Sequence, residues 1–166
     1  MNQDEILSCT PKVLSQHERE LYFRNGYLIK KSFIGAEWIS RLLTKTQTMI
    51  DESRTLTHSN EKFDLEEGHS KNNPKLRRLT QPVQYDPLYW QFVCNSAITD
   101  LAEDLLGPNI RFHHSKLNFK WCGGGEEVKW HQDIQFWPHT NFNVLTIGLY
   151  LENVDDEMAP MGAIPG

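Results

Sequence analysis

The sequence predicts an α+β fold in which helices come first and antiparallel strands of a β-sandwich or jelly roll follow. Three observations carry this reading. Capped, helix-periodic stretches fill much of the chain as far as Gly107-Pro108. Beyond that dipeptide, apolar residues recur at every second position instead of every third or fourth. The alternating stretches are separated by turn-forming residues, above all Gly123-Gly124-Gly125.

Each element follows from local chemistry. Ser15-Gln16-His17-Glu18 has the form of a capping box, so a short helix should start there and end near Asn25-Gly26, where glycine suits a left-handed cap. Tyr27 to Phe33 reads as a short strand. Trp38, Leu42, Leu43, Met49 and Ile50 recur at helical spacing and predict a helix from Glu37 to about Ser53. Residues 54–84 are polar with little periodicity, which predicts a long surface loop. Asp86-Pro87 suits a helix start, and Val93, Ala97, Leu101 and Leu105 form one stripe that stops at Gly107-Pro108. From Ile110 to Trp121 the chain alternates, with Leu117, Phe119 and Trp121 on one face and His114, Lys116, Asn118 and Lys120 on the other. Glu127 to Phe136 and Asn143 to Asn153 read as two further strands, and Met161 to Ile164 as the start of a fourth. The triple glycine is a hairpin turn and not a phosphate cradle, because no GxxxxGK[ST] surrounds it.

Composition narrows the function. A chain of 166 residues is one domain's worth, and 39% hydrophobic with 23% charged residues is globular rather than disordered. The net charge of −5 argues against nucleic acid or an anionic membrane as partner, although Lys75, Arg77 and Arg78 cluster locally. No run approaches the roughly 20 apolar residues of a membrane span. MNQDEILSC lacks the basic start and apolar core of a signal peptide. Cys9, Cys94 and Cys122, an odd number without a CxxC, read as reduced thiols in a cytoplasmic protein.

The chemistry concentrates in Lys129-Trp130-His131-Gln132-Asp133-Ile134-Gln135-Phe136-Trp137. On a strand, His131 and Asp133 emerge on the same face. An imidazole and a carboxylate so placed can be two members of the two-His-one-carboxylate face that binds non-haem Fe(II). A hydrogen-bonded pair on a surface strand fits the same spacing. Trp130, Phe136 and Trp137 imply a dry surrounding for the pair, or equally a packed core. The polar face bearing Lys116, Asn118 and Lys120 could line the same cavity or simply face solvent.

At these residues the sequence resembles a known family. HHSKLNFKWCGGGEEVKWHQDIQFWPHT and the later NVLTIGLYLENVDDEMAPMGAIPG are similar to the phytanoyl-CoA dioxygenase family of Fe(II)/2-oxoglutarate oxygenases, as is the helix-Asn-Gly-Tyr opening at 15–33. The resemblance implies a double-stranded β-helix, a cupin-like jelly roll with N-terminal helices packed on it. Residues 1–107 would be its mostly helical part and 108–166 the first strands, in a single, incomplete domain. It implies His131 and Asp133 as metal ligands, with Gln132 pointing the other way. It implies Lys116 and Asn118 as contacts to 2-oxoglutarate, and a substrate wall at Trp130, Phe136 and Trp137. The implied reaction consumes 2-oxoglutarate and O2, hydroxylates an unactivated C–H bond of a small-molecule substrate, and yields succinate and CO2. No catalytic residue beyond the metal ligands is implied.

The sequence also departs from the family pattern. Relatives carry a second His and a 2-oxoglutarate-binding Arg after the Pro-Gly segment, whereas this sequence stops at Pro165-Gly166. The expectation is an N-terminal fragment, inactive and marginally folded by itself, with the end of the barrel missing. After His131 the sequence holds His139 alone, in a turn that relatives also carry, and His113 and His114 read as structural or surface residues. Ala159-Pro160-Met161 stands where relatives show Gly-Pro. Two other readings share the fold: a metal-free binding protein without turnover, and a cupin-like barrel with another metal acting as an isomerase or hydrolase. The primary substrate and the oligomeric state have no signature in the sequence.

Overall fold

The computed structural model describes residues 1–123, 128–136 and 140–166. The chain divides into two compact units. One comprises Met1–Ile34, Asn95–Phe112 and Lys129–Gly166, and the other Gly35–Cys94 and His113–Val128.

The first unit is built on helices α1 (Gln3–Ser8), α2 (Gln16–Asn25) and α6 (Ala97–Leu106). Ser15 and Glu18 form the expected capping box on α2, and Gly26 closes it at φ 78°, a left-handed conformation that glycine adopts without strain. Asn2 and Glu5 cap α1 in the same reciprocal way. Leu14, Leu101 and Leu105 form a buried cluster, against which Val13, Tyr22, Leu28, Phe33 and Leu145 pack.

Beside that cluster lies a buried polar junction. The Asp104 carboxylate accepts the backbone N–H groups of Lys12, Val13 and Leu14 at 2.7, 2.9 and 2.8 Å. Arg19, 1% exposed, donates to the carbonyls of Asp104 and Cys9 at 3.0 and 2.9 Å, and also to the carbonyl of Ile6. One carboxylate and one guanidinium thus satisfy the backbone of the α1–α2 connection and tie both helices to α6. A backbone segment that runs from exposed Lys12 to buried Leu14 without ladder partners needs such acceptors where water is excluded.

Glu18 also pairs with Lys30. The hydrogen bond from Lys30, with those from the Ser15 N–H and hydroxyl, holds the Glu18 carboxyl down at about 2. A depressed carboxylate stabilises the fold above its unfolded value near 4.5, and that contribution is lost as pH falls toward about 2. Glu18→Gln should therefore lower the urea midpoint at neutral pH, with the gap to the parent closing between about pH 4.5 and 2. A gap independent of pH would assign the effect to the cap geometry alone.

The second unit contains α3 (Ala36–Ser53), β1 (Phe63–Leu65), β2 (Leu76–Thr80), α4 (Pro82–Tyr85), most of α5 (Pro87–Asn95) and β3 (Lys116–Asn118). The strands form an antiparallel sheet in the order β1-β2-β3, with Leu79 paired to Phe63 on one side and to Leu117 on the other. Leu42, Met49 and Ile50 of α3 are buried, as are Phe63, Leu76, Leu79, Tyr89 and Phe92. The Thr46 and Tyr89 hydroxyls hydrogen-bond at 3.1 Å.

Several expected elements are corrected. Residues 27–33 are not a strand; Leu28 and Phe33 are apolar because they pack on the leucine cluster. Residues 54–84 are not one surface loop but contain β1, β2 and α4. Strands of three and five residues are too short to show a period against polar neighbours. His69 fastens the connection between them, accepting the Lys75 N–H at 2.9 Å and donating to the Ser53 carbonyl at 3.0 Å. The stripe from Val93 to Leu105 is broken, because Ser96 leaves the helix and caps α6 through the Ile98 N–H. Gly107 ends α6 as expected.

Of the strand expectations after residue 107, the one for Ile110 to Trp121 holds in pattern more than in pairing. Leu117 and Phe119 are half-buried while Lys116, Asn118 and Lys120 are exposed, but only Lys116–Asn118 joins a ladder. The described parts of 127–136, 143–153 and 161–164 form no ladder. A strand needs a neighbour to pair with, and no described segment pairs with them. Glu127, with Gly124, Gly125 and Glu126 of the expected turn, lies outside the described residues. Among the described residues no helix is long and apolar enough to cross a membrane, and no disulfide links Cys9, Cys94 and Cys122.

Candidate metal centre

His131 and Asp133 meet, though not through strand alternation. His131 precedes a short 3₁₀ turn (Asp133–Phe136), and Asp133 opens it. The turn curls the carboxylate back toward the imidazole, so that Nε2 of His131 lies 3.1 Å from Oδ1 of Asp133. Nδ1 of His131 lies 2.7 Å from the carbonyl oxygen of Lys129. A carbonyl only accepts, so Nδ1 carries a proton, and Nε2 is the ring atom that faces the carboxylate. Two electron-rich atoms facing each other at that distance are satisfied by a second ring proton or by a metal cation between them.

The other carboxylate oxygen is held separately. The Thr146 hydroxyl donates to Oδ2 of Asp133 at 2.8 Å. Sequence reading missed Thr146; its signal was a hydroxyl within the apolar run Val144-Leu145-Thr146-Ile147, on the face opposite the leucines. The Phe136 ring meets the His131 ring edge-on at 5.3 Å.

The remaining predicted residues distribute as follows. Trp130 is 71% exposed and Phe136 58% exposed, so the expected dry wall is open to solvent on these two sides. The Trp130 indole lies against Gly162, where an added Cβ would come within 2.8 Å of the ring. Lys116 and Asn118 belong to the other unit, on β3, and Asn118 accepts a 3.3 Å hydrogen bond from Arg78. Trp137 and His139 lie outside the described residues. The His113 and His114 rings contact each other edge-on. Among the described residues, no group of three or more His, Cys, Asp or Glu side chains is arranged to hold a metal. The pair therefore offers two protein donors.

Comparison with known proteins covers nearly the whole chain. A family model described as phytanoyl-CoA dioxygenase (PhyH) matches residues 22–166. A probable alpha-ketoglutarate-dependent hypophosphite dioxygenase from Stutzerimonas stutzeri is 33% identical over 154 residues, which is 93% of this chain and 53% of the relative. An L-proline trans-4-hydroxylase from Streptomyces griseoviridis is 34% identical over 87% of this chain and 52% of its own length. An ectoine dioxygenase from Sphingopyxis alaskensis is 22% identical over 92% and 49%. The chain spans about half the length of these curated relatives. No solved structure gives a significant match.

Proposed function

Because the chain belongs to the phytanoyl-CoA dioxygenase family, we propose that the protein is a non-haem Fe(II)- and 2-oxoglutarate-dependent dioxygenase that hydroxylates an unactivated C–H bond of a small organic substrate. The observation that carries this reading is the approach of His131 Nε2 to Asp133 Oδ1 at 3.1 Å. Two adjacent donors on one octahedral ion, each about 2.1 Å from it, stand about 3 Å apart, so this donor set fits such a cation. The names of the relatives support the co-substrate, since α-ketoglutarate is 2-oxoglutarate.

In this reading His131 and Asp133 hold the iron. The Lys129 carbonyl keeps the proton on Nδ1 and so leaves Nε2 free to ligate. Asp133 supplies one negative charge toward the dication. When bound, iron with 2-oxoglutarate and O2 supplies the oxidising power for hydroxylation, with succinate and CO2 as co-products. Lys116 and Asn118 are proposed contacts for 2-oxoglutarate, an ammonium for a carboxylate and an amide for its oxygens. Trp130, Phe136 and Trp137 are the proposed substrate wall, which shields the site from water once covered. The alternating segments at 110–121 and 143–153 are proposed strands of a double-stranded β-helix, and the reduced thiols suit a cytoplasmic setting. The facial triad takes one further His, and 2-oxoglutarate takes an Arg; we assign neither to a residue of this chain.

The test is an anaerobic titration of the complete protein with Fe(II) and 2-oxoglutarate. A weak visible charge-transfer band is expected. A folded protein without the band would sink the iron assignment and put a metal-free binding protein in its place.

A further inference from the structure

We propose that Thr146 is the positioning residue that sets how Asp133 ligates the metal, an inference that rests on the iron reading above. A carboxylate has two oxygens, and a free one can rotate between one-oxygen and two-oxygen ligation. In this chain the oxygens are already distinguished. Oδ2 accepts the Thr146 hydroxyl at 2.8 Å, while Oδ1 faces Nε2 of His131 at 3.1 Å. The hydroxyl proton points at Oδ2, which lowers the electron density on that oxygen and leaves Oδ1 as the donor. The chain anchors Thr146 independently of the metal: its neighbour Leu145 packs against the Leu14, Leu101 and Leu105 cluster. Asp133 and Thr146 lie 13 residues apart, so the hydrogen bond also fixes the 3₁₀ turn to the segment after it. His131 has the matching device in the Lys129 carbonyl at 2.7 Å. Each of the two donors is thus oriented before any metal arrives, one by a carbonyl that accepts a hydrogen bond and one by a hydroxyl that donates one. Outer contacts of this kind typically govern metal affinity by 10- to 100-fold.

The test is metal affinity, not turnover. Mn(II), which resists oxidation, is titrated into the complete protein, with free Mn(II) read by electron paramagnetic resonance. The parent, Thr146→Val, Thr146→Ser and His131→Ala are compared. Thr146→Val keeps the shape of the side chain and removes the donor, and should weaken binding by about 10- to 100-fold. Thr146→Ser restores the hydroxyl and should bind within about threefold of the parent, far inside that window. Unchanged circular dichroism and thermal midpoint in Thr146→Val exclude a folding defect as the cause. Parent-like affinity in Thr146→Val, with binding lost in His131→Ala, overturns the role of Thr146 and leaves the metal site standing. Equal loss in the Val and Ser variants also overturns it, because the hydroxyl is then not what matters. Parent and His131→Ala titrating alike would remove the metal site itself and this inference with it.

Discussion

With His131 holding iron as proposed, His131→Ala is expected to reduce 2-oxoglutarate-dependent succinate formation by more than about 100-fold in the complete protein, beyond the loss that outer-sphere changes cause. The reason is the inventory of donors. Among the described residues no third His, Cys, Asp or Glu joins the pair, so no described side chain replaces Nε2. Stability should change little, because His131 lies at an exposed position whose polar contacts are the Lys129 carbonyl and Asp133; surface changes of this kind usually stay within about 0.5 kcal/mol. Coupled measurement of succinate release and thermal midpoint separates the two. Turnover retained at a near-parent rate would place the metal elsewhere in the protein.

Asp104→Ala should have the opposite profile, a large loss of stability of about 3–5 kcal/mol. The alanine leaves the N–H groups of Lys12, Val13 and Leu14 without the carboxylate that accepts all three. Each buried donor left unsatisfied costs about 1–3 kcal/mol, reduced where water can enter. The loss is a large share of the 5–15 kcal/mol that ordinarily holds a domain together. Urea denaturation is the measurement. Asp104→Asn keeps one accepting oxygen and should fall between the parent and Asp104→Ala. A shift below about 1 kcal/mol for the alanine variant would mean that water takes over the carboxylate's role.

The two variants differ in how visible their residues were in the sequence. His131 and Asp133 stand two positions apart, and local spacing was enough to bring them forward as a pair. Asp104 lies on α6, 90 residues from Leu14, and no local pattern marks an aspartate as the acceptor for a distant loop. Thr146 was hidden in the same way, since its partner is 13 residues earlier across a turn. The capping boxes sit at the other extreme. Ser15 and Glu18 interact within one helical turn, so the motif and the structure coincide.

What the sequence determined by itself was therefore what depends on neighbours along the chain. That covers the start and stop of α2, the start of α5 and the stop of α6, the length of α3, the alternation of residues 116–121, and the H-x-D pair within a recognisable family segment. Tertiary structure alone decided the rest. It made a sheet from three strands within a stretch read as loop and the segment after α6, broke one apolar stripe into α5 and α6 at Ser96, and joined Asp104 and Arg19 to the backbone between α1 and α2. It also brought His131 and Asp133 together through a 3₁₀ turn rather than a strand face. Helix periodicity and caps are satisfied within a few residues of backbone. Strand ladders, buried polar groups and metal donors are satisfied only by partners that folding brings from elsewhere.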